Sequence, residues 1–204
     1  PLVLNYREDN YILGHYLKPF YNSAHANPRY GIGPVTYRLS CSGPNMQNIP
    51  KGLNPPLRGI FLPKEGDDEW TRIDYSQMQL RILAHLSQDP EMLYIYSLPE
   101  YLPDGSKNPE ADIHQQTANF MNVERYLCKS VNFAMVFGAT PETLADTAGI
   151  NDIRRARQLI EMWSKKFDKA WQWILGQQEQ GVRQGWVETL EGRRIKLPDN
   201  ESPS

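Results

Sequence analysis

Residues Thr71–Asp89 read TRIDYSQMQLRILAHLSQD, and the rest of the chain is understood from this stretch. A short extended run ends on one carboxylate, Asp74, and a helical pattern follows at once. Ser76 with Gln79 three residues on makes an S-x-x-Q capping box, which predicts a helix from about Ser76 to Gln88. Asp74 then precedes a helix N-terminus, where the positive end of the dipole favours an anion. Local signals alone fit a helix-start acid as well as a functional one. Met78, Ile82 and Leu86 fall four apart, and Leu80 and Leu83 widen that apolar surface. Gln77, Arg81 and His85 form one narrow polar stripe. Such a helix is expected deep inside, facing something polar. Arg81 and His85 fit equally well as internally satisfied hydrogen-bond partners.

Downstream, ERYLCKSVNFAMVFG (124–138) carries Arg125, Lys129, Phe133 and Phe137 four apart. At 100° per residue this spacing keeps all four within a stripe of about 120°. Leu127, Val131 and Met135 repeat the spacing on the opposite side. Gly138 ends the helix and Pro141 blocks simple continuation. Two cations followed by a ring one turn away suit a nucleotide, with phosphates on the cations and base or sugar on the ring. A solvated cationic face with the phenylalanines in the core is the competing reading. A solvated face seldom carries two phenylalanines, which weighs against it.

The chain has 204 residues, enough for one domain or two small lobes with a real core. No apolar run approaches the roughly 18 residues of a membrane span, and PLVLNYREDN at the start is not a secretory signal. It reads instead as a segment cut from a longer protein. Cys41 and Cys128 are expected to be reduced thiols. The net charge is −2, but it is unevenly spread. Residues 1–60 carry six basic and two acidic side chains, 61–150 six and fourteen, and 151–196 ten and six. Basic flanks around an acidic middle suit a polyanion with metal ions between, although solvated faces give the same pattern. Residues 1–18 are expected to be helical. GIFLP (59–63) and EWTRID (69–74) read as strands, SLPEYLPDGSKNPEAD (97–112) as a loop, and GWVETLEGRRIKL (185–197) as a hairpin turning at Glu191-Gly192. Helices are expected near 112–122, 124–137, 141–148, 152–167 and 168–184. Strands early and helices later predict an α+β fold.

Four ordered stretches then resemble one family, the family A DNA polymerases of the bacterial DNA polymerase I class. TYRLSCSGPNMQNIP (36–50) resembles their T-G-R-L-S-S-x-x-P-N-L-Q-N-I-P segment, and DYSQMQLRILAHLSQD (74–89) their motif A. RYLCKSVNFAMVFG (125–138) is similar to motif B, with DIH (112–114) before it, and GWVETLEGRR (185–194) to the segment that follows. The resemblance implies a right-hand polymerase fold, with a partial palm sheet and a helical fingers lobe. The end of the thumb and the entry into the palm would span 1–35, the palm with motif A 36–90, and the fingers 91–184. A truncated hairpin leading back toward the palm would span 185–204. The implied activity is template-directed addition of deoxynucleotides to a primer 3′ end by two-metal phosphoryl transfer.

Under that resemblance Asp74 would bind two Mg²⁺ ions, about 3.5–4 Å apart, aided by the backbone carbonyl of Tyr75. Asp74 and Lys129 would be catalytic. Arg125, Lys129 and His114 would grip the triphosphate, Phe133 would contact base and sugar, and Gln77, Gln79 and Phe137 would line the nucleotide site. Arg38 would check the minor groove, and Asn45, Gln47 and Asn48 would hold primer and template. The implied partners are primer–template DNA and a dNTP, with no membrane and a monomeric state. The implied setting is the cytoplasm (nucleoid) or a virally encoded protein in a host cell.

The sequence departs from the family at Gln79, where Glu is usual, at Phe137 for Tyr, at Ala134 for Gly and at Tyr37 for Gly. The His-Asp-Glu hairpin with the second metal-binding aspartate is expected beyond Ser204, so the isolated segment is expected to be inactive. Two other readings stand beside this one. One is a non-catalytic nucleic-acid-binding module on the same fold. The other, prompted by Gln79, is a relative that uses ribonucleotides.

Overall fold

The computed structural model describes residues 2–21, 25–33, 37–50, 57–63, 71 and 73–197. The chain forms two compact units, Pro1–Ile73 and Asp74–Ser204. Helices and two small antiparallel sheets give it an α+β composition. No helix among the described residues is long and apolar enough to cross a membrane.

In the first unit, α1 (Leu2–Ile12) runs on through a wide π turn at Leu13–Leu17 and a 3-10 turn at Lys18–Phe20. Tyr16 is the inward residue of that stretch, and its hydroxyl donates to the Asn48 carbonyl at 2.7 Å. It packs with Ile49 and Leu57 in a small core. β1 (Arg29–Ile32) pairs with β2 (Leu39–Ser42), Arg29 opposite Ser42 and Ile32 opposite Leu39. The strand expected over GIFLP is not formed. Leu57–Ile60 is a 3-10 turn and Phe61–Pro63 is irregular. Leu57 is buried in the small core, while the Arg58 guanidinium donates to the Ile49 carbonyl at 2.9 and 3.3 Å. Those anchors fix a turn where strand propensity alone suggested extension. Half of the expected EWTRID strand lies outside the described residues, and Thr71, Ile73 and Asp74 are not in a strand.

The second unit is helical. It contains α2 (Met78–Ser87), α3 (Pro90–Ser97), α4 (Ile113–Met121), α5 (Arg125–Val136), α6 (Pro141–Ala148), α7 (Ile153–Lys166) and α8 (Asp168–Gln184). Short polar side chains mark several starts. Asp112, Thr140 and Asp152 accept from backbone N–H groups in the first turns of α4, α6 and α7. α8 ends at Gly185, whose φ of 74° is open to glycine at little cost. The chain then enters the hairpin of β3 (Trp186–Glu188) and β4 (Arg194–Lys196), with Val187 opposite Ile195. The core joins Leu80 and Leu83 of α2, Ile113 of α4, Val131 and Met135 of α5, and Trp163 of α7.

Two expectations for α2 are corrected. The capping box is not formed. Gln77 takes the N-cap position in a left-handed conformation with no side-chain cap, and the Ser76 carbonyl accepts from Arg81 Nε at 3.1 Å. The helix is also less enclosed than its composition suggested. Leu80, Leu83 and Ala84 are buried, but Met78 is 49% and Ile82 44% exposed. Both line an open apolar groove with Tyr75, His85 and Leu190.

Candidate functional site

The geometry starts from α5. Cys128, Val131, Asn132 and Met135 form its buried face. Lys129, Phe133 and Phe137 lie on the other side and line a groove with Tyr126, Thr143 and Thr147. Phe133 is half-buried and Phe137 is 63% exposed. Lys129, Phe133 and Phe137 of the stripe therefore face outward as one surface.

Arg125 opens that stripe but belongs to a different recess. It lines a cavity of about 260 Å³ with Ser76, Gln77 and Arg81 at the start of α2, and with Asp112 and Lys107. Asp112 Oδ2 accepts from Arg125 Nη2 at 2.7 Å and from Nε at 2.8 Å. Its Oδ1 accepts from the backbone N–H of His114 at 2.9 Å and of Gln115 at 3.3 Å. One carboxylate thus holds the guanidinium and starts α4 together. Burial pushes the Asp112 carboxyl up, but Arg125 and the two backbone donors outweigh it and hold the group below its ordinary value.

His114 is 3% exposed. Burial drives its pKa down to about 4; Asp112 opposes that shift, and Arg125 and Lys129 add to it. At neutral pH the ring is uncharged. It can offer a ligand an N–H but no cationic grip. Its ring lies 5.8 Å from that of Phe133, centroid to centroid. Behind it, Asn132 Nδ2 donates to His114 Nδ1 at 2.9 Å, and Trp163 Nε1 donates to Asn132 Oδ1 at 2.9 Å.

The polar stripe of α2 is tied by Tyr96, whose hydroxyl donates to Gln77 Oε1 at 3.0 Å. The Arg81 guanidinium lies 4.5 Å from the centre of the Tyr96 ring. Gln79 is half-buried in the first turn of α2, and Asp74 and Tyr75 are exposed just before that helix. Asp74 and the Tyr75 carbonyl are hard oxygen donors of the kind Mg²⁺ takes. Among the described residues no group of three His, Cys, Asp or Glu side chains gathers around a metal position. The donors present therefore suit part of a site. Among the described residues, Arg125 and Lys129 line separate recesses, and Asp74 lines neither of them.

Arg38, Asn45, Gln47 and Asn48 all fall in the first unit. Arg38 is exposed before β2. Asn45 caps the turn Met46–Asn48 by accepting from Gln47 N–H at 3.1 Å, and Asn48 supplies the carbonyl that holds Tyr16.

The profile described as DNA polymerase family A matches residues 1–204. This chain belongs to DNA polymerase family A. Similar family A proteins include "DNA polymerase I, thermostable" of Thermus aquaticus, 34% identical over 98% of this chain and 24% of its own length. DNA polymerase I of Deinococcus radiodurans is 33% identical over 97% of this chain and 21% of its own. The chain thus spans about a quarter of the length of these relatives. Its fold matches the POL domain of Pol1 from M. smegmatis, in complex with DNA primer-template and dNTP. That match has a TM-score of 0.77 at 23% identity, covering 98% of this chain and 36% of that one.

Three side chains of this family A segment were not singled out from its sequence: Asp112, Asn132 and Trp163. A usable signal existed for Asp112, an acid one residue before a helical pattern and two before His114. Asn132 carried a weaker one, as a polar residue on the apolar face of α5. Trp163 carried none, because tryptophan in an amphipathic helix reads as core.

Proposed function

We propose that this chain is the nucleotide-selecting part of a template-directed DNA polymerase, which adds deoxynucleotides to a primer 3′ end. In this reading the palm runs over 36–90 and the fingers over 91–184. The face of α5 carries the proposal: Lys129 beside the half-buried ring of Phe133, with the Asp112-anchored Arg125 at the helix start. Phosphoryl transfer asks a protein mostly for positioning and charge neutralisation, and this face offers both.

Lys129 and Arg125 would take the triphosphate oxygens. Arg125 has five N–H donors and spends two on Asp112, so three remain for a phosphate. Phe133 would lie against base and sugar, His114 would add a neutral N–H, and Phe137 would close the outer end of the groove. Asp74 and the Tyr75 carbonyl would hold Mg²⁺, which when bound would stabilise charge on the transferring phosphoryl group. Gln79 would sit near the sugar. Gln77 is committed to Tyr96 and would act by shaping the start of α2. Arg38, Asn45, Gln47 and Asn48 would contact primer and template, Asn45 by setting the turn that carries the other two.

Primer extension by the intact protein tests the proposal. Asp74→Ala is expected to abolish extension, and Lys129→Ala to lower it by about two orders of magnitude, the scale of one lost charge-stabilising donor. Near-normal extension by both variants would refute it and favour a binding module that does no chemistry.

A further inference from the structure

The buried amide of Asn132 has only one possible orientation. Trp163 Nε1 can only donate, so the atom 2.9 Å from it must be the Asn132 carbonyl oxygen. Thr117 supplies an independent constraint. Its hydroxyl proton goes to the Ile113 carbonyl at 2.6 Å, so toward Asn132 its oxygen can only accept, at 3.4 Å. Both neighbours place the Asn132 NH₂ group toward His114. That group donates to His114 Nδ1 at 2.9 Å, so Nδ1 must be the unprotonated nitrogen. The proton of the neutral ring is then on Nε2. Among the described residues no protein group takes that N–H, and no buried side-chain nitrogen or oxygen lacks a partner. Nε2 is therefore the polar atom of the ring that reaches the surface. The charged groups around it are Asp112, before α4, and Arg125 and Lys129 on α5; α7 contributes the uncharged Trp163.

We infer that Asn132, fixed by Trp163 and Thr117, is a positioning residue: it locks His114 in the Nε2–H tautomer, so that a donor rather than a lone pair meets a phosphate oxygen of a nucleotide on the α5 face. The inference rests on reading that face as a nucleotide site. The lock excludes the Nδ1–H tautomer, which would set two N–H groups against each other and turn a lone pair toward an anion. Protonating the ring is excluded in the same way, so the donor stays unchanged through the neutral range.

The tautomer can be read directly in the intact protein labelled with ¹⁵N-histidine, from two-bond proton–nitrogen spectra at pH 7. His114 is expected to show the Nε2–H pattern. Asn132→Asp keeps an acceptor for Trp163 but offers His114 a carboxylate, which accepts a hydrogen bond from Nδ1–H. The ring is then expected to become Nδ1–H at pH 8, with KM for a dNTP in primer extension about tenfold to hundredfold higher, the scale of a lost hydrogen bond to a charged group. Acidification should relieve that increase, because the doubly protonated ring regains Nε2–H, whereas in the wild type KM should show no such titration. A wild-type ring in the Nδ1–H or cationic form with normal dNTP use would overturn the positioning role alone, and that spectrum requires no variant. An Nε2–H ring in a protein with no dNTP-dependent extension would overturn the nucleotide reading of the face, and this role with it.

Discussion

Asp89 is 1% exposed, yet its carboxylate is satisfied entirely by backbone. Oδ1 accepts from the N–H of Glu91 at 3.1 Å and of Met92 at 3.0 Å, capping α3. Oδ2 accepts from the N–H of Ala170 at 3.1 Å, in the first turn of α8 and 81 residues away. One side chain therefore fastens two helix starts together. Asp89→Ala removes a cap, worth about 1 kcal/mol, and strands a buried N–H at Ala170, worth about 1–3 kcal/mol. The sum is about 3 kcal/mol, or a little over a hundredfold in an opening equilibrium. Asp89→Asn keeps the oxygen for α3 but turns an NH₂ toward Ala170, so it should keep the cap and lose the tie. Native-state hydrogen exchange resolves the two effects residue by residue. Asp89→Ala should speed exchange at Glu91, Met92 and Ala170. Asp89→Asn should speed Ala170 by at least tenfold more than Met92. Equal, small changes at all three amides in both variants would refute the double-cap account.

The depressed pKa of His114 makes stability depend on pH. A group that resists protonation when folded and accepts it near pH 6.5 when unfolded gives full stability above that pH and loses it as pH falls toward 4. The shift corresponds to about 3 kcal/mol across the window. Urea midpoints should fall more steeply from pH 6.5 to 4 in the wild type than in His114→Gln, and parallel curves would contradict this. At Asp112, Asn substitution keeps an oxygen for the α4 start but drops the charge on the half-exposed Arg125. Thermal unfolding should shift by less than about 1 kcal/mol for Asp112→Asn and by about 1 kcal/mol more for Asp112→Ala. Both variants should raise KM for a dNTP a few-fold; an unchanged KM would show that Arg125 needs no anchor.

The helices from Ile113 to Gln184 and the final hairpin were legible because their signals are local. Periodicity, Asp and Thr caps, and Gly185 all act within a turn. α3 was not among the expected helices, although Asp89-Pro90 is a sound start signal. The S-x-x-Q box failed because α2 begins at Met78, with Gln77 rather than Ser76 at the N-cap and the Gln77 side chain held by Tyr96, 19 residues on. The outward stripe of α5 followed from spacing. What engages it did not: Asp112 lies 13 residues from Arg125, and Trp163 lies 31 from Asn132. Such pairings are set by how helices pack, and no sequence window contains them. The burial of His114 was not legible for the same reason, because it comes from α4 packing on α5 and α7.

Whether the outward face of α5 holds a nucleotide is most directly decided by equilibrium binding of a dNTP with Mg²⁺ to the intact protein on primer–template. Lys129→Ala and Arg125→Ala should each weaken binding by about tenfold or more, with a shallower salt dependence. Glu161→Ala, on the exposed side of α7, should leave it unchanged. Wild-type affinity and salt slope in both cation variants would contradict the account.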